Sequence, residues 1–328
     1  MGKVIAVANQ KGGVGKTTTA AVLGDLLSSA GKKVLLIDMD GQANLTYNMG
    51  VDRPDFLSRT TKDVLMSKVN GETTDLGAEM LLAPGLSLFP SNIELASMEM
   101  TLINAFQREQ ILSMIVDELR EKYDYIVIDT SPSLGLLTIN SLIAADEVVI
   151  PVSAQIFAIR GMEQLFKSIS LAQRINQNLK IAGFLITMVD GRSDDQKDTI
   201  NQLRDAFGGF VDAFEVTIPF QINAPEAPKQ QQATTAFDPD GAAAKAYKNW
   251  LAEYLGITSY KDNSGNPIEI GDELFLGKEL YQVHFGDYER VTRDGKKVNT
   301  LGVYTTKMND PEAAPLSMGS FMMKYRRK

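Results

Sequence analysis

The sequence predicts an α/β fold, with a mostly parallel sheet covered by helices on both faces and a small C-terminal β-rich module after it. Three observations carry this expectation. Short runs that are apolar at every position alternate with segments of helical period, the pattern of strands buried on both faces. The early runs end on loops rich in glycine or acid, where open α/β sheets place their ligands. Beyond residue 267 the pattern changes to short, partly alternating runs divided by turn residues, which reads as antiparallel β. A chain of 328 residues suffices for one large domain with an appendage.

The first strand is Val4-Ile5-Ala6-Val7-Ala8, and a helix over 17–27 follows it. Between them lies Asn9-Gln10-Lys11-Gly12-Gly13-Val14-Gly15-Lys16-Thr17-Thr18. Strand, glycine-rich loop and helix in that order are what a phosphate-binding loop requires. Gly12, Gly13 and Gly15 let the backbone turn tightly and approach an anion. The loop N–H groups and the positive end of the helix then face the phosphates. Lys16 is placed to reach the β- and γ-phosphates of a nucleotide, and Thr17 to put its hydroxyl on magnesium. The expected architecture is therefore that of a P-loop NTPase.

A second apolar run, 33–38, ends on Asp38, with Asp40 and Gln42 just beyond. Residues 50–80 are polar and irregular apart from a helical pattern over 61–68. Two short apolar runs flank Pro84-Gly85. Residues 92–107 and 108–122 read as helices, the second with Ile111, Leu112, Ile115, Val116 and Leu119 on one stripe. Tyr125-Ile126-Val127-Ile128-Asp129 is a strand ending on an acid, the Walker B pattern, whose carboxylate would hold magnesium through water. Strands over 147–152 and 180–188, with helices over 159–176 and 193–207, continue the alternation. A further strand ends at Pro219. The last helix of this part is capped by Asp238, with Pro239 in its first position, and Gly256 ends it.

The stretch from Lys11 to Thr19, KGGVGKTTT, resembles the deviant Walker A motif of the ParA/MinD family of partition and positioning ATPases, and most resembles its ParA branch. Residues 38–46 look like that family's DxDxQxNLT motif. Residues 130–138 look like the continuation of its Walker B strand, with Ser131 where proline is common. Residues 226–228 and 238–247 match its closing segment, so the resemblance spans about 2–256. It implies ATP and Mg2+ as cofactors, and slow, partner-stimulated ATP hydrolysis. It implies a homodimer closed face to face over two nucleotides. The loop residues Lys11, Gly12, Gly13, Val14, Gly15, Lys16, Thr17 and Thr18 would bind ATP. Lys11 would reach the phosphates of the facing subunit, against which Gly12 must stay small. Asp40 would orient the attacking water, and Asp38 would join Thr17 and Asp129 around the metal. Pro219 and Phe220 would lie against the base, Phe220 standing where partition members often carry an arginine linked to DNA binding. The implied partners are a ParB-like activating protein and non-specific DNA, with dimer and monomer exchanged by hydrolysis. A MinD-like membrane-cycling ATPase and a positioning ATPase for a non-DNA cargo are the alternatives.

Composition narrows these classes. There is no cysteine and only one histidine, His284, which excludes disulfides, thiolate metal sites and histidine-rich metal sites. It also sets aside the cysteine-dependent relatives that share the loop, the nitrogenase iron protein and arsenite pumps. No signal pattern opens the chain and no apolar run approaches the roughly 18 residues that span a bilayer, so a cytoplasmic protein is expected. The net charge is −8, so DNA contact would need a local basic patch. Arg160, Lys167, Arg174, Arg192, Lys197, Arg204, Lys245 and Lys248 are the candidates. The expected organisation is an ATPase domain over 1–256, a linker over 257–267, and a β-rich appendage over 268–328. The appendage has turn signals at Gly271-Asp272, Gly286-Asp287 and Asp294-Gly295 and an apolar, then basic tail.

Overall fold

Strands β1 (Lys3–Val7), β2 (Val34–Met39), β3 (Met80–Ala83), β4 (Leu86–Phe89), β5 (Tyr125–Thr130), β6 (Glu147–Ser153) and β7 (Lys180–Thr187) form one sheet in the order β3-β4-β2-β5-β1-β6-β7. This is a computed structural model, and it describes residues 1–74, 76–155, 158–190, 194–207, 211–220, 226–257, 260–261, 267–268, 273–276, 279–291, 297–308 and 315–317. All pairings in the sheet are parallel except β3–β4. β1 lies between β5 and β6, so the loop that leaves it opens at the crevice where neighbouring connections diverge.

Both faces of the sheet are covered, which is why its strands are apolar at every position. Val4, Ala6 and Ala8 pack into one core, and Ile5 and Val7 into the other. The second core is closed by α1 (Lys16–Ser29), by Leu45 of α2 (Asn44–Asn48), and by a late helix described below. The first is closed by α3 (Thr61–Val69), α4 (Met98–Ile103), α5 (Ile111–Leu119), α6 (Leu136–Ala144), α7 (Ala158–Ile175) and α8 (Asp194–Phe207). Then come α9 (Glu226–Lys229), α10 (Thr234–Phe237) and α11 (Ala242–Tyr254). α11 sets Tyr247, Trp250 and Leu251 into the second core, and the Tyr247 hydroxyl lies 3.2 Å from Thr19 Oγ1 on α1.

The appendage is antiparallel β, as expected. β8 (Tyr260–Lys261) pairs with β9 (Pro267–Ile268). β10 (Glu273–Leu276), β11 (Glu279–Val291), β12 (Lys297–Lys307) and β13 (Leu316–Ser317) form a four-stranded sheet in chain order. Tyr281, Val283 and Thr305 are buried, the last two paired across the β11–β12 ladder.

Four local expectations need correction. Gly286-Asp287 is no turn: β11 runs through it, with Gly286 paired to Gly302 in an unbroken ladder. The expected helix over 92–107 is a 3₁₀ turn, Ile93–Ser97, followed by the short α4, and left-handed Gln107 (φ 51°) separates it from α5. The last helix starts at a Gly241 cap rather than at Asp238, because the Asp238 N–H donates back to Thr234 and closes α10. The run ending at Pro219 forms no regular strand: its bridges are isolated, Phe184 on β7 to Ala213 and Val189, two residues past β7, to Pro219, with left-handed Met188 (φ 58°) bulging between them. The tail over 321–328, Gly271-Asp272 and Asp294-Gly295 lie outside the described residues.

Candidate functional site

The loop after β1 is held open by side chains from strands far away in sequence. Asn9 donates from Nδ2 to the Pro151 carbonyl (2.7 Å) on β6 and accepts the Lys11 N–H at Oδ1 (3.0 Å). Thr187, at the end of β7, donates to the Val14 carbonyl (2.9 Å). Gly15 takes φ +87° and caps α1 with its backbone alone, a conformation L side chains rarely adopt. The first N–H groups of α1 therefore open onto the loop with no capping side chain in the way.

The two lysines of the loop go different ways. Lys16 is 6% exposed and its ammonium reaches back over the loop to the Lys11 carbonyl at 3.3 Å. Burial lowers its pKa, and the nearby charges of Asp129 and Asp40 oppose that. Lys11 points away, to Ser153 Oγ (3.4 Å) at the end of β6 and to Gln155 Oε1 (2.6 Å) just beyond it. A Cβ on Gly12 would meet nothing within 4 Å, and its φ is unremarkable, so nothing within one protomer demands glycine there.

Two acids lie side by side at the ends of β2 and β5, Asp38 opposite Asp129 in the ladder. Both are fully buried. Asp38 is well supplied with donors: its Oδ2 accepts the Thr46 N–H (2.9 Å) and hydroxyl (2.7 Å), and its Oδ1 accepts the Asp40 N–H (3.1 Å). Burial still pushes its pKa up to about 6. Neither oxygen of Asp129 has a hydrogen-bond partner. Burial, then the Asp38 charge, push its pKa well up, tempered by the neighbouring Thr17 hydroxyl and Lys16 ammonium. Buried, unbonded carboxylate oxygens are costly unless something fills their lone pairs. A hydrated Mg2+ beside the Thr17 hydroxyl fits this donor set, because magnesium keeps several waters and needs only one or two protein oxygens. Asp40 stands further out, half-buried, with Oδ1 on the Gln42 N–H at 3.0 Å.

The electrostatics of this pair have a direct consequence. A carboxyl whose pKa is raised on folding costs stability as pH climbs from its ordinary value of 3.8, for Asp38 up to about 6. Asp129→Asn is therefore expected to raise the melting temperature of the ligand-free protein at pH 7.5 by about 2–4 °C, the equivalent of about 1 kcal/mol in a domain of this size. The gain should shrink as pH falls and both acids take up protons. Circular-dichroism melts of parent and variant between pH 4.5 and 7.5 check this, and a gain undiminished at pH 4.5 would contradict it.

The other expected positions are more scattered. Pro219 bridges Val189, two residues past the Thr187 that braces the loop, and the Phe220 ring is 57% exposed. Among the basic candidates, Lys167 and Arg174 are exposed on α7. Arg204 donates to the Phe214 and Glu215 carbonyls, and Lys248 donates to that of Pro239. Arg192 and the side chains of Arg160 and Lys197 lie outside the described residues. Sequence reasoning passed over Asn9, Ser153, Gln155 and Thr187, whose partners are some 140 residues or more away in the chain. It also passed over Thr46, although Thr46 stood inside a motif that was singled out.

Residues 2–181 match the family model described as an AAA domain. The chain is 38% identical over 254 residues to the sporulation initiation inhibitor protein Soj of Bacillus subtilis, covering 77% of this chain and 98% of Soj. It is 36% identical over 258 residues to the chromosome-partitioning ATPase Soj of Treponema pallidum, covering 78% and 98%. Among solved structures it resembles cobyrinic acid a,c-diamide synthase of Mycobacterium smegmatis with a bound ATP analogue and magnesium, at TM-score 0.66 and 35% identity, covering 75% of this chain and 91% of that one.

Proposed function

The chain belongs to the ParA/MinD family of P-loop ATPases, and from that premise we propose that it is an ATP-switched positioning ATPase with DNA as its cargo. Two protomers close over two ATP molecules and separate on hydrolysis. The observation that carries this reading is the divergence of the two loop lysines: Lys16 is buried over its own loop, while Lys11 faces outward across β6. A second ammonium on a loop already served by Lys16 is suited to neutralising the phosphates of a facing subunit, the role an arginine finger plays. The open space at Gly12 supports the same reading, since a facing loop supplies the reason for glycine that the protomer lacks.

Within one protomer, the Lys16 ammonium holds the β- and γ-phosphates and the loop N–H groups cradle them. Thr17 and Asp129 would hold Mg2+, which when bound neutralises charge on the phosphates. Asp38 would support the magnesium shell behind Thr17 and Asp129, and its bonds to Thr46 and to the Asp40 N–H fix the start of the loop that carries Asp40. Asp40 orients the attacking water. Pro219 and Phe220 flank the base. An activator of the ParB type speeds hydrolysis, and non-specific DNA is the surface on which the dimer is retained. Among the described residues no helix is long and apolar enough to cross a membrane.

Lys11→Ala is expected to bind ATP with parental affinity and to remain monomeric with a non-hydrolysable analogue, where the parent dimerises. Calorimetry and light scattering measure the two quantities, and an analogue-dependent dimer of the variant would remove Lys11 from the interface. One observation favours a non-DNA cargo as a second reading: the exposed residue after Pro219 is Phe220 rather than a cation. A DNA mobility shift with and without ATP separates the two.

A further inference from the structure

We propose that Glu99 is a positioning residue for ATP hydrolysis: its carboxylate clamps the start of α6 and so fixes the loop that leads away from Asp129. Glu99 sits on α4, with Oε2 on the Leu136 N–H (2.8 Å) and Oε1 on the Leu137 N–H (3.1 Å). The N-cap of α6 is Gly135, which offers no side chain, so the first donors of this helix depend on a carboxylate 37 residues upstream. Glycine at 135 is required by that arrangement, because a Cβ there would stand 2.4 Å from Glu99 Oε1.

The loop so held is short and tied at its other end to the site. Thr130, next to Asp129, donates to the Val7 carbonyl (2.9 Å) just before the phosphate loop. Ser131 and Ser133 share a hydrogen bond (2.8 Å), and Thr138 of α6 donates to the Ser133 carbonyl (2.7 Å). Five residues therefore span from a strand end that carries a buried acid to a helix start gripped by Glu99. The segment that carries Glu99 also touches the other acidic loop: the 3₁₀ turn before α4 packs on Gly41, beside Asp40, with the Cβ position of Gly41 3.4 Å from the Ala96 nitrogen. Met98 and Leu102 anchor α4 in the core. The continuous segment 93–103 thus contacts both loops on which the proposed water-orienting and metal-holding acids stand. Glu99 touches no reacting group; it acts by keeping the two loops in register.

This inference rests on the chain being an ATPase, and the test separates the two. Glu99→Gln replaces one acceptor by an amide donor that cannot receive the second N–H. Its rate of single-turnover hydrolysis is expected to fall about tenfold, as for a small misplacement of positioned groups, with nucleotide affinity within about twofold of the parent. A simple capping role is tested with the double variant Glu99→Ala/Gly135→Ser, in which the new serine caps α6 locally. Melting temperature is expected to return to the parental value in the double variant while the hydrolysis rate stays low. Recovery of the rate together with the melting temperature would overturn the proposal, as would a parental rate in Glu99→Gln. Amide hydrogen exchange over 130–137 supplies a readout without turnover: faster exchange in Glu99→Gln supports the clamp, and unchanged exchange overturns it. A parent protein with no hydrolysis overturns the ATPase reading, and with it the clamp's role in hydrolysis.

Discussion

Lys16→Ala is expected to remove most of the nucleotide affinity, raising the Kd about 100-fold. The Lys16 ammonium is almost completely buried, is held by a single loop carbonyl, and lies in the field of Asp129 and Asp40. A triphosphate offers it several charge-assisted hydrogen bonds in place of that one contact. Losing about 3 kcal/mol of such bonding corresponds to about a 100-fold rise in Kd. Isothermal calorimetry with Mg-ATP measures it, and a far-UV spectrum matching the parent shows that the fold persists. Lys16→Arg is expected to fail also, because a planar guanidinium does not fit a buried site shaped for a point charge. Tight ATP binding by Lys16→Ala would disprove the assignment of the loop.

The second large effect is expected at Asp40. Asp40→Ala should bind Mg-ATP as the parent does, hydrolyse it at least about 100-fold more slowly, and accumulate as a long-lived dimer. Asp40 is half-buried and uses Oδ1 to hold the Gln42 N–H, so its loss leaves the buried Asp38–Thr46 contact in place and spares the fold. Phosphate release and size exclusion in the presence of ATP read the two outcomes. Normal turnover would remove Asp40 from the chemistry.

Much of this was legible in the sequence, and the physics explains which parts. The alternation of fully apolar runs with helical segments predicts a sheet buried on both faces, and Val4, Ala6 and Ala8 against Ile5 and Val7 show both faces filled. The phosphate loop was readable because its glycines, lysines and threonine are contiguous. Long-range order was not readable. The placement of β3 as an antiparallel edge, the bracing of the loop by Thr187 and the clamp by Glu99 join residues with no local signature of each other. Turn dipeptides misled where context outweighed them. Gly286-Asp287 has the composition of a turn, yet Gly302 lies opposite and the ladder passes through. Asp238 has the composition of a helix cap, yet it closes the preceding helix.

The contacts that brace the phosphate loop also order its assembly during translation. Asn9 waits for Pro151, Val14 for Thr187, and Thr19 for Tyr247, sequence separations of 142, 173 and 228 residues. This early stretch is thus among the last to be completed. Loop closures of that length delay folding, and a nascent chain that ends before Thr187 lacks the donor that braces Val14. The shape of the phosphate loop is therefore set by strands and a helix that follow it far down the chain, not by the loop's own residues.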